Sequence, residues 1–235
     1  MKIIDLNKDY ESLYFSCLED WSDEMKEAKN HKELWYQKMK EKGLGVKLAM
    51  NEENKPVGMI QYIPIEHSSA AGRDLYFILC IWVHGYKNKG VGNYQKQGIG
   101  KALLKAAEDD VKERGAKGLA AWGVPLPVFM KASWFKKQGY VPVDKEGLLG
   151  MVLLWKPFSD DAVAPKWIKE KKVPEVDNDK VTVTGFINGW CPAYNMVFER
   201  AKRASSELGN QIVFNEINTF DRDVFNEWGI SDALF

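Results

Sequence analysis

A chain of 235 residues, 45% apolar and 28% charged, has an ordinary globular composition and is long enough for one generous domain or two small ones. Lysine plus arginine and aspartate plus glutamate balance at 33 each, so no overall field draws nucleic acid or an anionic membrane. Three separated cysteines, Cys17, Cys80 and Cys191, argue against a disulfide framework and for a reducing cytosol, and His31, His67 and His84 stand at no metal-ligand spacing. Residues 1–9 lack a signal-peptide core, and no apolar run reaches the roughly 18 residues of a membrane helix, so a cytoplasmic location is expected.

In chain order, residues 2–6 read as a strand, and 8–19 and 22–41 as helices, the second stopped by Gly43. Strands at 46–50 and 57–65 turn around Glu53-Asn54-Lys55-Pro56. Residues 75–83 are continuously apolar, as in a strand buried on both faces. A helix from Gly98 to about Arg114 places Ile99, Leu103, Ala107 and Val111 inward, with Lys101, Lys105, Glu108 and Lys112 outward. Strand 118–122 then returns parallel, as a βαβ crossover requires. A helix at 128–137 and strands at 140–143 and 149–155 complete a mixed α/β domain over residues 1–158. Residues 159–179, broken by Pro165 and Pro174 and rich in charge, read as a linker or a surface-wrapping segment. Beyond it, strand 181–187, helix 192–208, strand 211–217 and helix 221–228 form a small βαβ domain over 180–235, too small alone for a robust core.

The stretch with most chemistry is Gln95-Lys96-Gln97-Gly98-Ile99-Gly100-Lys101. Its glycines let the backbone approach a ligand and adopt torsions that side chains forbid. The helix start adds unpaired N–H groups and the positive end of a dipole, which suit a phosphate or pyrophosphate. Gly100-Lys101 matches the end of a Walker A loop, but Gln95 stands where its leading glycine belongs and Ala102 where its hydroxyl belongs. A dinucleotide fingerprint would need glycine at Leu103 or at Gln95.

The spacing Gln-x-x-Gly-x-Gly resembles the acyl-CoA loop of the GNAT family of N-acetyltransferases. So does the order of elements: strand, loop, helix, strand, then a helix with an aromatic pair, Trp134-Phe135, and Gly139-Tyr140. The resemblance covers about residues 1–157. It implies a GNAT-type mixed central sheet flanked by helices. It also implies acetyl transfer from acetyl-CoA to a small-molecule or protein amine, by direct attack in a ternary complex, with no covalent enzyme nucleophile. Backbone N–H groups from Gln97 to Lys101, in the loop Gln95, Lys96, Gln97, Gly98, Ile99, Gly100 and Lys101, would hold the pyrophosphate. Ile81, Trp82 and Val83 would pair with the pantetheine arm, and an N–H there would stabilise the oxyanion. Phe135 takes the place of the tyrosine that commonly protonates the departing thiolate. A thiol pKa near 8.5 lies about 1 to 1.5 units above neutrality, so lacking that acid costs on the order of 2 kcal/mol. A second departure is the extension from His84 to Tyr94, a flexible, glycine-rich segment that covers the cofactor or the substrate, or is a mobile insertion.

For the base that deprotonates the amine, the candidates are Glu66 and His67 at one strand end and His84 at another. Cys80, within a strand, reads as a small buried thiol. Cys191 lies between a strand and a helix opened by Pro192, where the dipole predicts a lowered thiol pKa. Strand-Trp-Cys-Pro-helix resembles a thioredoxin half-fold with Tyr194 in place of a second cysteine, and the tail resembles the YoaP-like domain of some bacterial acetyltransferases. The chain ends at Phe235, before the later strands of that fold, which implies a reduced version or a longer chain. Two alternatives remain beside the enzyme: an acyl-CoA sensor without turnover, and a monothiol redox protein working through Cys191.

Overall fold

The computed structural model describes the chain from Met1 to Phe235 apart from residues 127–128, 147–149, 176–179 and 210–211. In chain order the elements are β1 (Lys2–Asp5), α1 (Glu11–Phe15), α2 (Asp23–Lys26), α3 (His31–Met39), β2 (Gly45–Met50), β3 (Pro56–Pro64), β4 (Ala70–Ala71) and β5 (Leu75–Val83). There follow α4 (Ile99–Glu113), β6 (Gly118–Gly123), α5 (Ala132–Lys137), β7 (Val141–Lys145), β8 (Val152–Pro157) and β9 (Lys166–Trp167). The last are β10 (Val181–Ile187), α6 (Pro192–Glu207), β11 (Ile212–Asn218), α7 (Arg222–Trp228) and β12 (Ala233–Leu234). The expected element ends at 128, 149 and 211, and the acidic cluster 177–179, lie outside the described residues. Among the described residues no helix is long and apolar enough to cross a membrane.

The chain divides into two units, Met1–Glu11 with Met39–Ile168, and Ser12–Lys38 with Lys169–Phe235. This division differs from a linear cut at 158 and 180, because residues 12–38 group with the C-terminal part. Parts of 159–175 are bonded to the rest of the chain. β9 pairs with β4, and the Trp167 N–H donates to Asp144 Oδ2 at 2.9 Å, within the first unit. The Lys171 N–H donates to Trp228 O at 2.8 Å, within the second.

The first unit is a seven-stranded mixed sheet in the order β1-β2-β3-β5-β6-β8-β7. Among the described residues of this sheet only β5 and β6 run parallel. Continuous apolar runs put β3 and β5 at its centre, buried along most of their length. α4 joins β5 to β6 and buries Ile99, Leu103, Leu104, Ala107 and Val111, the inward stripe of a 3.6-residue period. Glu108, expected on the solvent face, is buried beside them and pairs with Lys156 of β8 at 2.9 Å. Asp110 anchors the same helix to the sheet by accepting from the Tyr62 hydroxyl at 2.7 Å and pairing with Lys47 at 3.1 Å. Burial works against its charge, but those donors and Arg114 hold its carboxyl below the usual range.

The second unit has a three-stranded sheet, β11-β10-β12, with β10 and β11 parallel across α6 and β12 antiparallel. The two long helices expected over 8–41 are instead short pieces. Cys17, Leu18 and Lys29 take left-handed torsions (φ 54°, 64° and 50°), which no α-helix accommodates. The pieces dock on α6 through charge. Arg200 holds Glu27 with two bonds of 2.9 and 3.1 Å, and Arg203 adds a third at 3.0 Å, which brings the Glu27 carboxyl down to about 2. Glu199, buried on α6, accepts from His31 at 2.6 Å and pairs with Lys29.

Candidate functional site

β5 and β6 pair only from Leu75↔Gly118 to Ile78↔Ala121, and then part. The register between β3 and β5 slips at this point, with Gln61 opposite Cys80 and Tyr62 opposite Ile78, so Leu79 is the extra residue of a bulge. Past the bulge, β5 has backbone groups with no strand beside them. Two side chains cap part of that edge. The Trp122 indole N–H donates to Leu79 O at 2.8 Å, and Gln95 Nε2 donates to Val83 O at 3.2 Å. The His84 N–H points the other way, to Val57 O at 2.9 Å. By strand alternation Ile81, midway between the two capped carbonyls, directs its own N–H and C=O into the gap.

The loop after β5 is tied to the end of that strand. His84 is fully buried, its Nδ1 lies 2.5 Å from Gly92 O, and its carbonyl accepts from the Tyr94 N–H at 2.8 Å. Asn93 Oδ1 accepts from the Gln95 N–H at 2.9 Å. The chain then turns through Lys96 (φ 64°) and Gly98 (φ 82°) into α4. Gly98 is the N-cap and offers no side chain, and the first turn holds no acidic residue. The N–H groups of Ile99, Gly100 and Lys101 therefore open the helix with neither intrahelical acceptor nor carboxylate, at the positive end of its dipole. A Cβ at Gly98 would meet nothing within 4 Å, whereas one at Gly100 would lie 3.4 Å from the Trp134 ring. Parted strand and uncapped helix start lie at the same end of β5, an arrangement that suits an extended ligand with a phosphorylated end.

The predicted residues separate into those gathered here and those elsewhere. Ile81, Trp82 and Val83 lie on the open length of β5, and Gln95, Lys96, Gln97, Gly98, Ile99, Gly100 and Lys101 form the adjoining turn. Phe135 is fully buried, packed edge-on against Trp134 at 5.0 Å and Tyr140 at 5.5 Å, so its ring belongs to the core. Its neighbour Trp134 is the side chain that faces Gly100. Glu66 does not gather with the loop. Antiparallel pairing sets Pro64 beside Tyr76, seven residues before Val83, or about 23 Å along the strand. Glu66 lies beyond Pro64, which removes its rationale as a base. His84 is a buried tie for the loop rather than an open strand-end group. Sequence reasoning gave no site role to Trp122, Trp134 or Asn93, although it read Trp134 as part of the aromatic pair. For Trp122 the signal was a tryptophan near the end of a strand, with an apolar body and a polar tip, and for Trp134 its place in the aromatic pair.

Cys191 belongs to the second unit, as the N-cap residue of α6. The lowered thiol pKa expected there is reversed. Burial, with nearby charge on Cys17 and Asp232, pushes the thiol up to about 12, against the opposing pull of the Tyr194 amide and the Lys32 ammonium. Asp232 accepts from the Asn188 N–H at 2.9 Å and the Ser231 hydroxyl at 2.8 Å, yet burial lifts its carboxyl to about 6. Folded, it holds a proton between about pH 4 and 6 that the unfolded chain has released, so its contribution to stability is present below pH 4 and falls as pH rises through 6. Asp232→Asn keeps an acceptor and cannot ionise. Urea midpoints should show the variant gaining at most about 2–3 kcal/mol over wild type between pH 4.5 and 7.5. An unchanged difference would mean that Asp232 ionises freely in the fold.

The profile of the acetyltransferase (GNAT) family matches residues 5–140, more than half of the chain, and the protein belongs to that family as an N-acetyltransferase. Among solved structures, a GNAT-family protein from Desulfovibrio desulfuricans is 15% identical with a TM-score of 0.50, over 67% of this chain and 99% of its own. A GNAT acetyltransferase from Staphylococcus aureus is 20% identical at a TM-score of 0.49, again over 67% and 99%. The GNAT N-acetyltransferase YhbS from Escherichia coli, solved in complex with CoA, is 10% identical at 0.49, over 71% and 88%. At these identities the likeness concerns the fold alone. No curated protein sequence matches the chain.

Proposed function

We propose that the protein transfers the acetyl group of acetyl-CoA directly to an amine within a ternary complex, at the gap between β5 and β6. The observation that carries this is the adjacency of the parted strand and the uncapped start of α4. Acetyl-CoA is the cosubstrate. Its pyrophosphate takes the N–H groups from Gln97 to Lys101, and Lys96 and Lys101 add positive charge. Its pantetheine arm lies along Ile81–Val83 as a substitute for the missing strand. The Ile81 N–H faces the thioester carbonyl and stabilises the oxyanion as the amine attacks. Gln95 and Trp122 hold the edge in place by capping Val83 and Leu79. Trp134, against Gly100, walls the pyrophosphate turn. The acceptor is a small-molecule or protein amine, and the location is cytoplasmic.

No covalent acetyl-enzyme is part of this mechanism. Cys80 is 5% exposed. Phe135 has no proton to give, so CoA leaves as a thiolate. For the second unit we assign a thioredoxin-like, YoaP-like half-fold; its support is the parallel register from Val181↔Ile212 to Ile187↔Asn218 around a helix that opens at Cys191-Pro192. Direct transfer is tested by initial rates at varied acetyl-CoA and amine, using whichever member of a panel of polyamines, amino acids and lysine peptides turns over. Double-reciprocal plots should intersect. Parallel lines, the mark of an acetyl-enzyme, would contradict the mechanism.

A further inference from the structure

An amine that meets a thioester beside Ile81 cannot arrive through α4. On the face that carries this helix, Ile81 and Val83 pack against the core that Ile60, Tyr62, Ile99 and Leu103 build, so that side is filled. Trp82 stands between them in sequence and opposite Met59 of β3, so strand alternation turns its indole to the other face, where it is only partly buried. Trp122 spans the gap, its N–H on Leu79 O at 2.8 Å, two residues or about 7 Å along β5 from Ile81. Phe129, 44% exposed, meets the Trp122 ring at 5.9 Å. Three aromatic rings thus border the place where the reacting carbon sits, all within the first unit.

The segments that carry these rings hold no acid. Residues 75–107 and 115–143, which supply β5, the glycine turn, the start of α4, β6 and α5, contain no aspartate or glutamate, and every charged side chain in them is one of nine lysines. Glu108, the first acid of α4, is buried and taken by Lys156. The one histidine of these segments, His84, is fully buried with Nδ1 at Gly92 O. Glu66 and His67 lie past Pro64, toward the far end of β5. An alkyl amine, with a pKa of about 10.4, comes to such a site as an ammonium. The lysines repel it, and aromatic faces that attract it favour the charged form, which has no lone pair to attack with. An amine that is uncharged in water escapes both penalties and needs no base before it attacks.

We propose that the acceptor is an arylamine, its ring against Trp82, Trp122 and Phe129 and its nitrogen at the thioester carbonyl. The inference rests on the reading of the gap as the acetyl-transfer site. An arylamine delocalises its lone pair into the ring, so its conjugate acid ionises in the range of a carboxylic acid and the amine is neutral at pH 7. Its flat ring suits edge-to-face and offset contacts with the three aromatic side chains. The nitrogen forms the C–N bond while the oxyanion collects at the Ile81 N–H, and collapse of that intermediate breaks the C–S bond. CoA leaves as a thiolate, and the proton that the nitrogen sheds passes through water to it. Arylamine and acetyl-CoA give N-aryl acetamide and CoA thiol, with no change of oxidation state and no proton asked of Phe135.

The test compares two isomers on the full-length chain, 4-methylaniline and benzylamine, which differ in whether the nitrogen is bonded to the ring. With acetyl-CoA saturating and free CoA as the readout, kcat/KM at neutral pH should be at least tenfold higher for 4-methylaniline. Its rate should stay level from about pH 6 to 9, whereas that of benzylamine, limited by its unprotonated fraction, should rise about tenfold per pH unit. Phe129→Ala and Trp82→Leu should each raise KM for 4-methylaniline at least fivefold, with kcat changed less. Benzylamine or a lysine peptide matching 4-methylaniline at neutral pH would overturn the arylamine, as would unchanged KM in both variants. Calorimetry with acetyl-CoA separates the two levels of failure. Normal acetyl-CoA binding with an alkyl-amine preference, or with no arylamine acetylated, overturns this inference and leaves the cofactor site standing; no acetyl-CoA binding overturns both.

Discussion

Gly98→Glu should weaken acetyl-CoA binding by at least 100-fold and leave the fold intact. The position combines two properties. Its φ of 82° lies where a side chain costs about 1–2 kcal/mol, so a modest fall in melting temperature, roughly 2–8 °C, is expected. No atom lies within 4 Å of where its Cβ would stand, so nothing is displaced inside the protein. The new carboxylate would instead occupy the open space before the first N–H groups of α4, bond them as a helix cap, and repel a pyrophosphate. Gly98→Ala separates the effects, since it carries the strain without the charge and should lose far less affinity. Calorimetry on both variants checks this. Normal binding by Gly98→Glu would mean that the pyrophosphate does not sit at this turn.

Leu103→Ala should destabilise the protein by about 2–5 kcal/mol, read from urea denaturation. Leu103 is fully buried in the middle of α4, and its Cδ1 would lie 3.2 Å from a Cβ on Gly58, so it fills the space that a glycine leaves on β3. Sheet and helix are both tied by other contacts there, including Asp110 to Tyr62, so the void has little room to collapse. The residue faces the sheet while the helix start faces the ligand. Acetyl-CoA affinity should therefore change little where the variant is still folded. A loss below about 1 kcal/mol would show that α4 is not packed on β3 in this manner.

Local patterns made much of the first unit legible. The apolar run of β5, the glycine turn and the 3.6-residue stripe of α4 are properties of neighbouring residues, and all three are present in the structure. What escaped depends on distant partners. Glu108 reads as a solvent residue until Lys156, 48 positions away, pairs with it. Glu66 sits at a strand end, but only the antiparallel register of β3 and β5 decides which end. Helix breaks at Cys17, Leu18 and Lys29 leave no composition signal, because none of these residues is glycine or proline. At Cys191 the local expectation, a helix dipole that lowers the thiol pKa, is overturned because burial is the largest influence on the thiol and raises it. Trp122 and Trp134 illustrate the same limit, since an aromatic side chain looks like core until the strands beside it part.

The central claim is that the parted end of β5 and the start of α4 together form an acetyl-CoA site. Titrating acetyl-CoA into the purified wild-type protein by calorimetry addresses it most directly. The account predicts one-to-one binding with a micromolar dissociation constant; absence of binding at millimolar acetyl-CoA would contradict it and leave the glycine turn as a structural corner.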